Sequence, residues 1–134
     1  MNRMVLVVDD DPILREVATA ILEGDGFSVS QAEDGLQAME VLGAAHFDLV
    51  LCDVFMPNMD GFETLQAIRK RWPSLPVIMM TAGNAYQPPE RMLKTARLFG
   101  VAGDLAKPLS RDRLLAKVYQ ALQPGAKAPA APAP

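Results

Sequence analysis

The sequence predicts an α/β fold in which a doubly wound parallel sheet carries helices on both faces. Five short segments predicted as strands alternate along the chain with five segments of helical periodicity. Such alternation requires right-handed crossovers between parallel strands, which places helices on both faces of one sheet. Most of the apolar segments end on polar side chains, and the carboxyl edge of an open α/β sheet is where ligands bind.

The first strand and helix lie near the N-terminus. Residues 4–8 form a buried apolar run, and Asp11 then caps a helix that has Pro12 at its first position. Gly24 and Gly26 end this helix. Its apolar face is expected to pack on the sheet and comprises Ile13, Leu14, Val17, Ala18, Ile21 and Leu22.

The other four strands follow at regular intervals. They are predicted at residues 27–32, 49–53, 76–81 and 101–106. Residues 27–32 alternate between apolar and polar side chains, which is typical of a more exposed strand at the edge of a sheet. The helices after these strands are predicted to end near residues 43–46, at Pro73, near Phe99 and near Leu122. Ser110 is expected to cap the last of them.

The most informative stretch is DLVLCDVFMPNMDG, residues 48–61. Residues 49–52 are apolar, and the strand they form ends on the carboxylate of Asp53. The residues that follow are rich in Pro, Asn and Asp-Gly, which favours a loop over a longer strand. Asp60 then caps the next helix with Glu63 three residues on, in a capping-box pattern. Asp53 is therefore expected at the mouth of a loop, held on a rigid element.

The composition fits one globular domain. The chain has 134 residues, of which 50% are hydrophobic and 22% are charged, enough for a proper core. We expect residues 1–123 to form the domain and residues 124–134, rich in Ala and Pro, to be a disordered tail. The single cysteine excludes a disulfide framework, and no segment is long enough to span a bilayer. These features predict a cytoplasmic protein with neither a membrane span nor a DNA-binding domain.

The net charge of -3 conceals an uneven distribution. Residues 1–66 hold 13 acidic and 2 basic side chains, whereas residues 67–134 hold 3 acidic and 11 basic ones. Helix faces of opposite sign explain this better than a nucleic-acid patch, because the basic residues are spread over three helices without interleaved aromatic residues. The basic residues of the last two helices also indicate an acidic partner: Arg91, Lys94, Arg97, Arg111, Arg113 and Lys117.

The residues that close the strands gather at one edge of a parallel sheet. They are Asp9 and Asp10 after the first strand, Asp53 after the third, Thr81 after the fourth and Lys107 after the fifth. Three neighbouring carboxylates raise one another's pKa values unless a cation neutralises them, and hard oxygen ligands suit Mg²⁺. Lys107 adds a positive charge and Thr81 a hydroxyl donor. This edge is therefore suited to a dianionic phosphoryl group.

Five motifs occur in order at the ends of the predicted strands. They are Val8-Asp9-Asp10, Asp53, residues 56–61 (MPNMDG), Thr81-Ala82 and Lys107-Pro108. Together they resemble the receiver domain of bacterial two-component response regulators, and the resemblance extends over residues 4–123. It implies a flavodoxin-like sheet of five parallel strands in the order 2-1-3-4-5.

The resemblance also implies a role for each site residue. Asp53 would be the phosphoacceptor, a carboxylate nucleophile that takes a phosphoryl group from a phosphohistidine. Lys107 would pair with the phosphoryl oxygens, and Thr81 would move to hydrogen-bond one of them. The peptide bond between Lys107 and Pro108 is expected to be cis.

A magnesium site follows from the same resemblance. Asp10 and Asp53 would bind Mg²⁺ through their side chains, and Phe55 would bind it through its backbone carbonyl. Asp9 would act mainly through a metal-bound water.

Three features depart from the family pattern. Asp104 stands three residues before Lys107, where the family usually has an aromatic residue that moves with the threonine. The loop at residues 83–89 is a few residues longer than usual. Phe55 and Gly83 occupy positions that tune the lifetime of the phosphoryl group, and they favour opposite effects.

Two functions are compatible with these residues. The first is a single-domain response regulator of the chemotaxis or phosphorelay type, which is phosphorylated on Asp53 and docks through its last two helices and fifth strand. The second is a receiver-like scaffold that binds a kinase or another partner largely independently of phosphorylation, and Asp104 is its main support. A pure scaffold would not need the charged site residues, so we favour the first.

The favoured function is a switch and not a turnover enzyme, because such a domain catalyses only its own phosphorylation and dephosphorylation. A phosphatase with an aspartyl nucleophile is disfavoured, since those enzymes have an acid where this chain has Phe55. The expected partners are a histidine kinase or histidine phosphotransfer protein and a downstream protein target. A monomer and a phosphorylation-dependent dimer both remain open.

Overall fold

A computed structural model describes residues 2–83 and 88–123, where five strands alternate with five helices. The strands are β1 (Met4–Val8), β2 (Ser28–Ala32), β3 (Leu49–Asp53), β4 (Val77–Thr81) and β5 (Gly103–Ala106). The helices are α1 (Pro12–Gly24), α2 (Gly35–Ala44), α3 (Gly61–Arg71), α4 (Pro89–Leu98) and α5 (Arg111–Leu122).

The strands form one parallel sheet in the order β2-β1-β3-β4-β5, as predicted. The register pairs Val8 with Cys52, Asp53 with Met80, and Thr81 with Ala106. These pairs lie at the carboxyl ends of the strands, so the polar residues that close or follow the strands share one edge. Strand β2, which is only partly buried, lies at one edge of the sheet, as predicted.

Alternate side chains of the central strands enter two separate cores. Val50, Cys52 and Met79 are buried with side chains of α2, α3 and α4 on one face of the sheet. Leu51 and Ile78 are buried with side chains of α1 and α5 on the other face. The period of two along a strand thus covers both faces with helices, which gives the doubly wound architecture.

The predicted apolar face of α1 is wrong at two positions. Ile13 and Val17 are 71% and 43% exposed, whereas Ala18 and Leu22 are fully buried. The part of α1 that contacts the sheet is narrower than the apolar surface of the helix. Ile13 and Val17 lie on the part of that apolar surface that faces away from the sheet. The sequence did not distinguish the two stripes, because residues 13 and 17 keep the same four-residue spacing as residues 18 and 22.

Side-chain caps start most of the helices. Asp11 caps α1 and Ser110 caps α5, as predicted, and Asp34 caps α2. Asp60 and Glu63 form the predicted capping box at the start of α3. These caps supply acceptors for backbone amides that have no partner within their helix.

Two predicted features lie outside the described residues. The tail at residues 124–134 is one, and the central part of the long loop, residues 84–87, is the other. Strand β5 begins at Gly103, two residues later than predicted, because Gly100 makes a turn at φ +77° before the chain enters the sheet. Among the helices of the described ranges, none combines the length and apolar composition needed to cross a bilayer.

Gly61 is a position where a side chain would collide with the backbone. Its amide donates to the Val54 carbonyl at 2.8 Å, and a Cβ atom would lie 2.2 Å from the Asp53 carbonyl oxygen. We predict that Gly61→Ala lowers the free energy of unfolding by about 3 kcal/mol, because backbone atoms of Asp53 and Val54, which cannot move aside as a side chain can, lie too close to the added carbon. The shift in the urea unfolding midpoint measures this loss.

Gly24→Ala is the matched control. Gly24 ends α1 and an added Cβ there meets no atom within 4 Å, so this variant is expected to be neutral or slightly more stable. Equal midpoints for Gly61→Ala and wild type would contradict the close approach of α3 to the end of β3.

Candidate functional site

The candidate site lies at the carboxyl edge of the sheet. Asp9 and Asp10 follow β1, Asp53 ends β3, Thr81 ends β4 and Lys107 follows β5. Carboxylate oxygens of Asp9, Asp10 and Asp53 all lie within 4.8 Å of one another. The strand order places β1 beside β3, so the fold forces these acidic groups together.

Lys107 brings the positive charge to this cluster. Its ammonium lies 2.7 Å from Asp9 Oδ2 and 3.2 Å from Asp53 Oδ1. Asp9 is fully buried and its other oxygen accepts the Asp11 amide at 2.9 Å. The peptide bond between Lys107 and Pro108 is cis, as predicted.

Burial makes the charge of Asp53 costly. Asp53 is 5% exposed, and desolvation together with the negative charge of Asp9 raises its pKa from 3.8 to about 7, although Lys107 lowers it. Burial likewise raises the pKa of Asp9 despite its bond to Lys107. For Lys107, burial lowers the pKa, but the two carboxylates outweigh this and the net shift is upward. Lys107 therefore offsets only part of the cost of burying these two carboxylates.

The donor set fits a small hard cation. Three carboxylates from separate positions converge, and one of them, Asp10, is exposed to solvent and leaves access to water. Mg²⁺ binds through one or two carboxylates while it keeps several waters. A divalent cation here would also lower the pKa of Asp53, which burial and the negative charge of Asp9 raise.

Thr81 closes the site on the side of β4. It is 1% exposed, and its hydroxyl oxygen accepts the Gly83 amide at 2.9 Å. Its backbone carbonyl accepts the Lys107 amide, also at 2.9 Å. Thr81 thus links Lys107 to the start of the connection between β4 and α4.

The loop between β3 and α3 borders the site on its other side. Phe55, two residues after Asp53, is 37% exposed. The loop is closed at its base by the bond between Gly61 and Val54. At its tip, Asn58 Nδ2 donates to Asp34 Oδ2 at 3.0 Å.

Two contacts of this region were not found from the sequence. One is the bond between Asn58 and Asp34, which lie 24 residues apart. The other joins Arg97, in the last turn of α4, to Asp104 on β5 through two hydrogen bonds of 2.6 and 2.9 Å. The sequence identified Asp104 as a departure from the family pattern. The opposite charge of Arg97, in the helix that precedes β5, was the one signal that could have predicted this contact.

Cys52 takes no part in the site. It lies in the core with α2, α3 and α4, and burial raises the pKa of its thiol. A buried thiol of this kind is unreactive.

The raised pKa of Asp53 makes a pH-dependent stability measurable. Between pH 4 and about 7 the folded state holds more protons on Asp53 than the unfolded state does, so stability falls as the pH rises through this range. We predict that Asp53→Asn, without divalent cations, is more stable than wild type by about 2 kcal/mol at pH 8. The difference narrows toward pH 5. Urea unfolding at the two pH values measures it, and an equal pH dependence in both proteins would contradict the shift.

Removal of Lys107 has the opposite effect. Lys107→Gln leaves Asp9 and Asp53 without their cationic partner, and we predict a loss of about 3 kcal/mol at pH 8. If Mg²⁺ binds the carboxylate cluster, it is expected to raise the unfolding midpoint of this variant more than that of wild type, because the cation would replace the missing ammonium. Lys94→Gln, at an exposed position of α4, is the control and is expected to leave stability unchanged. If Lys107→Gln has the same unfolding midpoint as wild type, the ion pairs of Lys107 do not stabilise the protein.

Comparison with known proteins places this arrangement in a family. The sequence model of the response regulator receiver domain family matches residues 5–119. The transcriptional regulatory protein ZraR of Escherichia coli is 42% identical over 121 residues, which are 90% of this chain and 26% of that protein. The sensor histidine kinase RcsC of Escherichia coli is 41% identical over 111 residues, 83% of this chain and 11% of RcsC. The chain thus spans about a quarter or less of these two relatives.

Solved structures agree. The chemotaxis protein CheY4 of Vibrio cholerae superposes with a TM-score of 0.79 at 31% identity, covering 91% of this chain and 100% of that one. The receiver domain of NtrX from Brucella abortus gives a TM-score of 0.81 at 29% identity, with coverages of 88% and 97%. The family match, the sheet order and the acidic edge agree, and the chain belongs to the response regulator receiver domains of two-component systems.

Proposed function

We propose that the chain is a phosphorelay switch that accepts a phosphoryl group on Asp53, with Mg²⁺, from a phosphohistidine on a partner protein. The carrying observation is the position of Asp53: a buried carboxylate at the end of β3, 3.2 Å from an ammonium and clustered with two further carboxylates. Such a group is a nucleophile that electrostatic neutralisation activates.

In the proposed transfer, a carboxylate oxygen of Asp53 attacks the phosphorus atom and the phosphorus–nitrogen bond of the phosphohistidine breaks. The electron pair of that bond stays on the imidazole nitrogen, which leaves the histidine free and Asp53 as an acyl phosphate. Lys107 lies close enough to move its ammonium from Asp53 to the new phosphoryl oxygens. The protein contributes mainly position and charge, since the transition state of phosphoryl transfer is loosely bonded.

Asp10 and Asp53 would hold Mg²⁺ through their side chains, Phe55 through its backbone carbonyl and Asp9 through a bound water. When bound, the cation supplies the charge that phosphoryl oxygens require in addition to Lys107. Because the cluster binds protons readily at neutral pH, the same cation would keep Asp53 deprotonated and nucleophilic.

Thr81 is the proposed sensor of phosphorylation. Its hydroxyl now accepts a hydrogen bond from the Gly83 amide. To donate its proton to a phosphoryl oxygen the side chain would turn toward Asp53 and release Gly83, so the connection to α4 would move. The surface formed by α4, β5 and α5 is the proposed output, and its exposed basic residues favour an acidic partner.

The proposed phosphodonor is a histidine kinase or a histidine phosphotransfer protein. The downstream partner is a protein, and its identity depends on more than the receiver fold, because the relatives ZraR and RcsC carry receivers within a transcriptional regulatory protein and a sensor kinase. A monomer and a phosphorylation-dependent dimer both agree with this function.

A scaffold that acts largely without phosphorylation is the second candidate. Asp104 supports it: this acidic residue, bound to Arg97, replaces the aromatic side chain that usually responds to the threonine. The retained carboxylates and Lys107 argue against it, because a scaffold has no need for a buried charge cluster that costs stability.

Intact-mass analysis after incubation with acetyl phosphate tests the proposal. We predict one phosphoryl adduct on the wild type that requires Mg²⁺ and that Asp53→Asn abolishes. Asp11→Asn is the matched control, because Asp11 is an exposed carboxylate that caps α1 beside the site, and it is expected to keep the adduct. If neither acetyl phosphate nor a panel of histidine kinases produces an adduct, the result would favour the scaffold function.

A further inference from the structure

The loop between β3 and α3 carries Phe55, the residue proposed to offer a backbone ligand to Mg²⁺. Its base is fixed, since the Gly61 amide donates to the Val54 carbonyl at 2.8 Å and any larger residue at position 61 would collide with backbone. A loop that is fixed at its base can still move at its tip. The position of Phe55 therefore depends on what holds the tip.

Asn58 holds it. This residue has a positive φ of 68°, which few side chains other than Asn tolerate. Its side-chain amide donates to Asp34 Oδ2 at 3.0 Å, across a sequence separation of 24 residues. The strained backbone and the long-range bond occur at the same residue, and a bond of this kind stabilises a conformation that the free loop would leave.

Asp34 is a firm anchor for this bond. It is 8% exposed, and its Oδ1 accepts the Gln37 amide at 2.8 Å as the cap of α2. The hydrogen bonds from Gln37 and Asn58 lower the pKa of this carboxyl, so it stays ionised and a strong acceptor. Next to it, a Cβ on Gly35 would lie 2.8 Å from the Met59 side chain, which shows how closely the loop packs on the start of α2.

We infer that Asn58 and Asp34 form a latch that positions the Phe55 carbonyl and thereby sets the affinity of the site for Mg²⁺. The inference rests on the proposed function, because it assumes that Mg²⁺ binds at the carboxylate cluster. Neither residue contacts the cluster ligands directly through the bonds described, so both are positioning residues.

The physical reason lies in the demands of the cation. Mg²⁺ requires near-octahedral ligands at about 2.0–2.1 Å, so a carbonyl that is displaced by a fraction of an ångström binds poorly. The latch meets this demand in advance by fixing the loop before the cation arrives. Groups that orient metal ligands contribute roughly 10–100-fold in affinity.

Both ends of the latch can be removed without disturbing the backbone. Asn58→Gly deletes the donor and accepts the positive φ without strain. Asp34→Ser keeps a hydroxyl that caps α2 and has no carboxylate to reach Asn58. The double variant completes a thermodynamic cycle.

The measurement is the Kd for Mg²⁺, taken from amide chemical shifts of the unphosphorylated protein during a MgCl₂ titration. We expect each single variant to raise the Kd about tenfold, and the double variant to raise it no further. Arg97→Gln is the control: it removes a two-bond contact between α4 and β5 and is expected to leave the Kd unchanged. Unfolding midpoints, recorded in parallel, establish that each variant is folded.

The outcomes separate the latch from the proposed function. A wild type that binds no Mg²⁺ would overturn both. If the wild type binds Mg²⁺ and is phosphorylated, but the variants have an unchanged Kd for Mg²⁺, the latch alone would be overturned. An effect of Asn58→Gly without one of Asp34→Ser would also overturn it, because the change would then come from added chain flexibility. Should Asn58→Gly fail to fold, Asp34→Ser decides. Should Asp34→Ser fail to fold, Asp34→Thr, whose hydroxyl can also cap α2, takes its place.

Discussion

The burial of two neighbouring carboxylates is the constraint on which the site depends. The parallel sheet brings the ends of β1 and β3 side by side, so Asp9 and Asp53 share one small region from which water is largely excluded. Burial raises the pKa of both groups, and Lys107 compensates only in part. The charged carboxylates therefore destabilise the folded state, and a divalent cation or protonation of a carboxylate would reduce this destabilisation. A site in this condition responds strongly to changes of charge.

The surroundings of Asp53 are rigid on one side and adjustable on the other. Toward α3, the close approach of Gly61 to the end of β3 and the bond from Asn58 to Asp34 fix the loop. Toward α4, among the described residues the Thr81 hydroxyl accepts a hydrogen bond from the Gly83 amide, and it can give up this donor and donate its own proton to an acceptor instead. Such a division suits a switch, because the reacting group stays in place while a neighbouring segment moves.

The contact between Arg97 and Asp104 is a distinctive feature of the face that α4 and β5 form. An aromatic side chain at position 104 would be an apolar body that changes its burial with little electrostatic cost. Asp104 instead ties α4 to β5 through two charge-assisted hydrogen bonds to an arginine that is largely exposed. Arginine and aspartate in this geometry are directional, so any movement of α4 would break or carry the pair as a unit. A partner that offers an acidic group to Arg97 would compete with Asp104 directly.

The sequence by itself determined the class of fold, the strand order through its family resemblance, and the residues that meet at the carboxyl edge. These follow from local periodicity and from the geometry of parallel strands, which brings strand ends together whatever the packing. Only the tertiary structure decided which flank of α1 faces the sheet, since Ile13 and Ala18 belong to equally regular apolar spacings. It also decided the pairing of Asn58 with Asp34 and of Arg97 with Asp104. Those contacts depend on the distance between elements that are remote in sequence, and no local pattern records that distance.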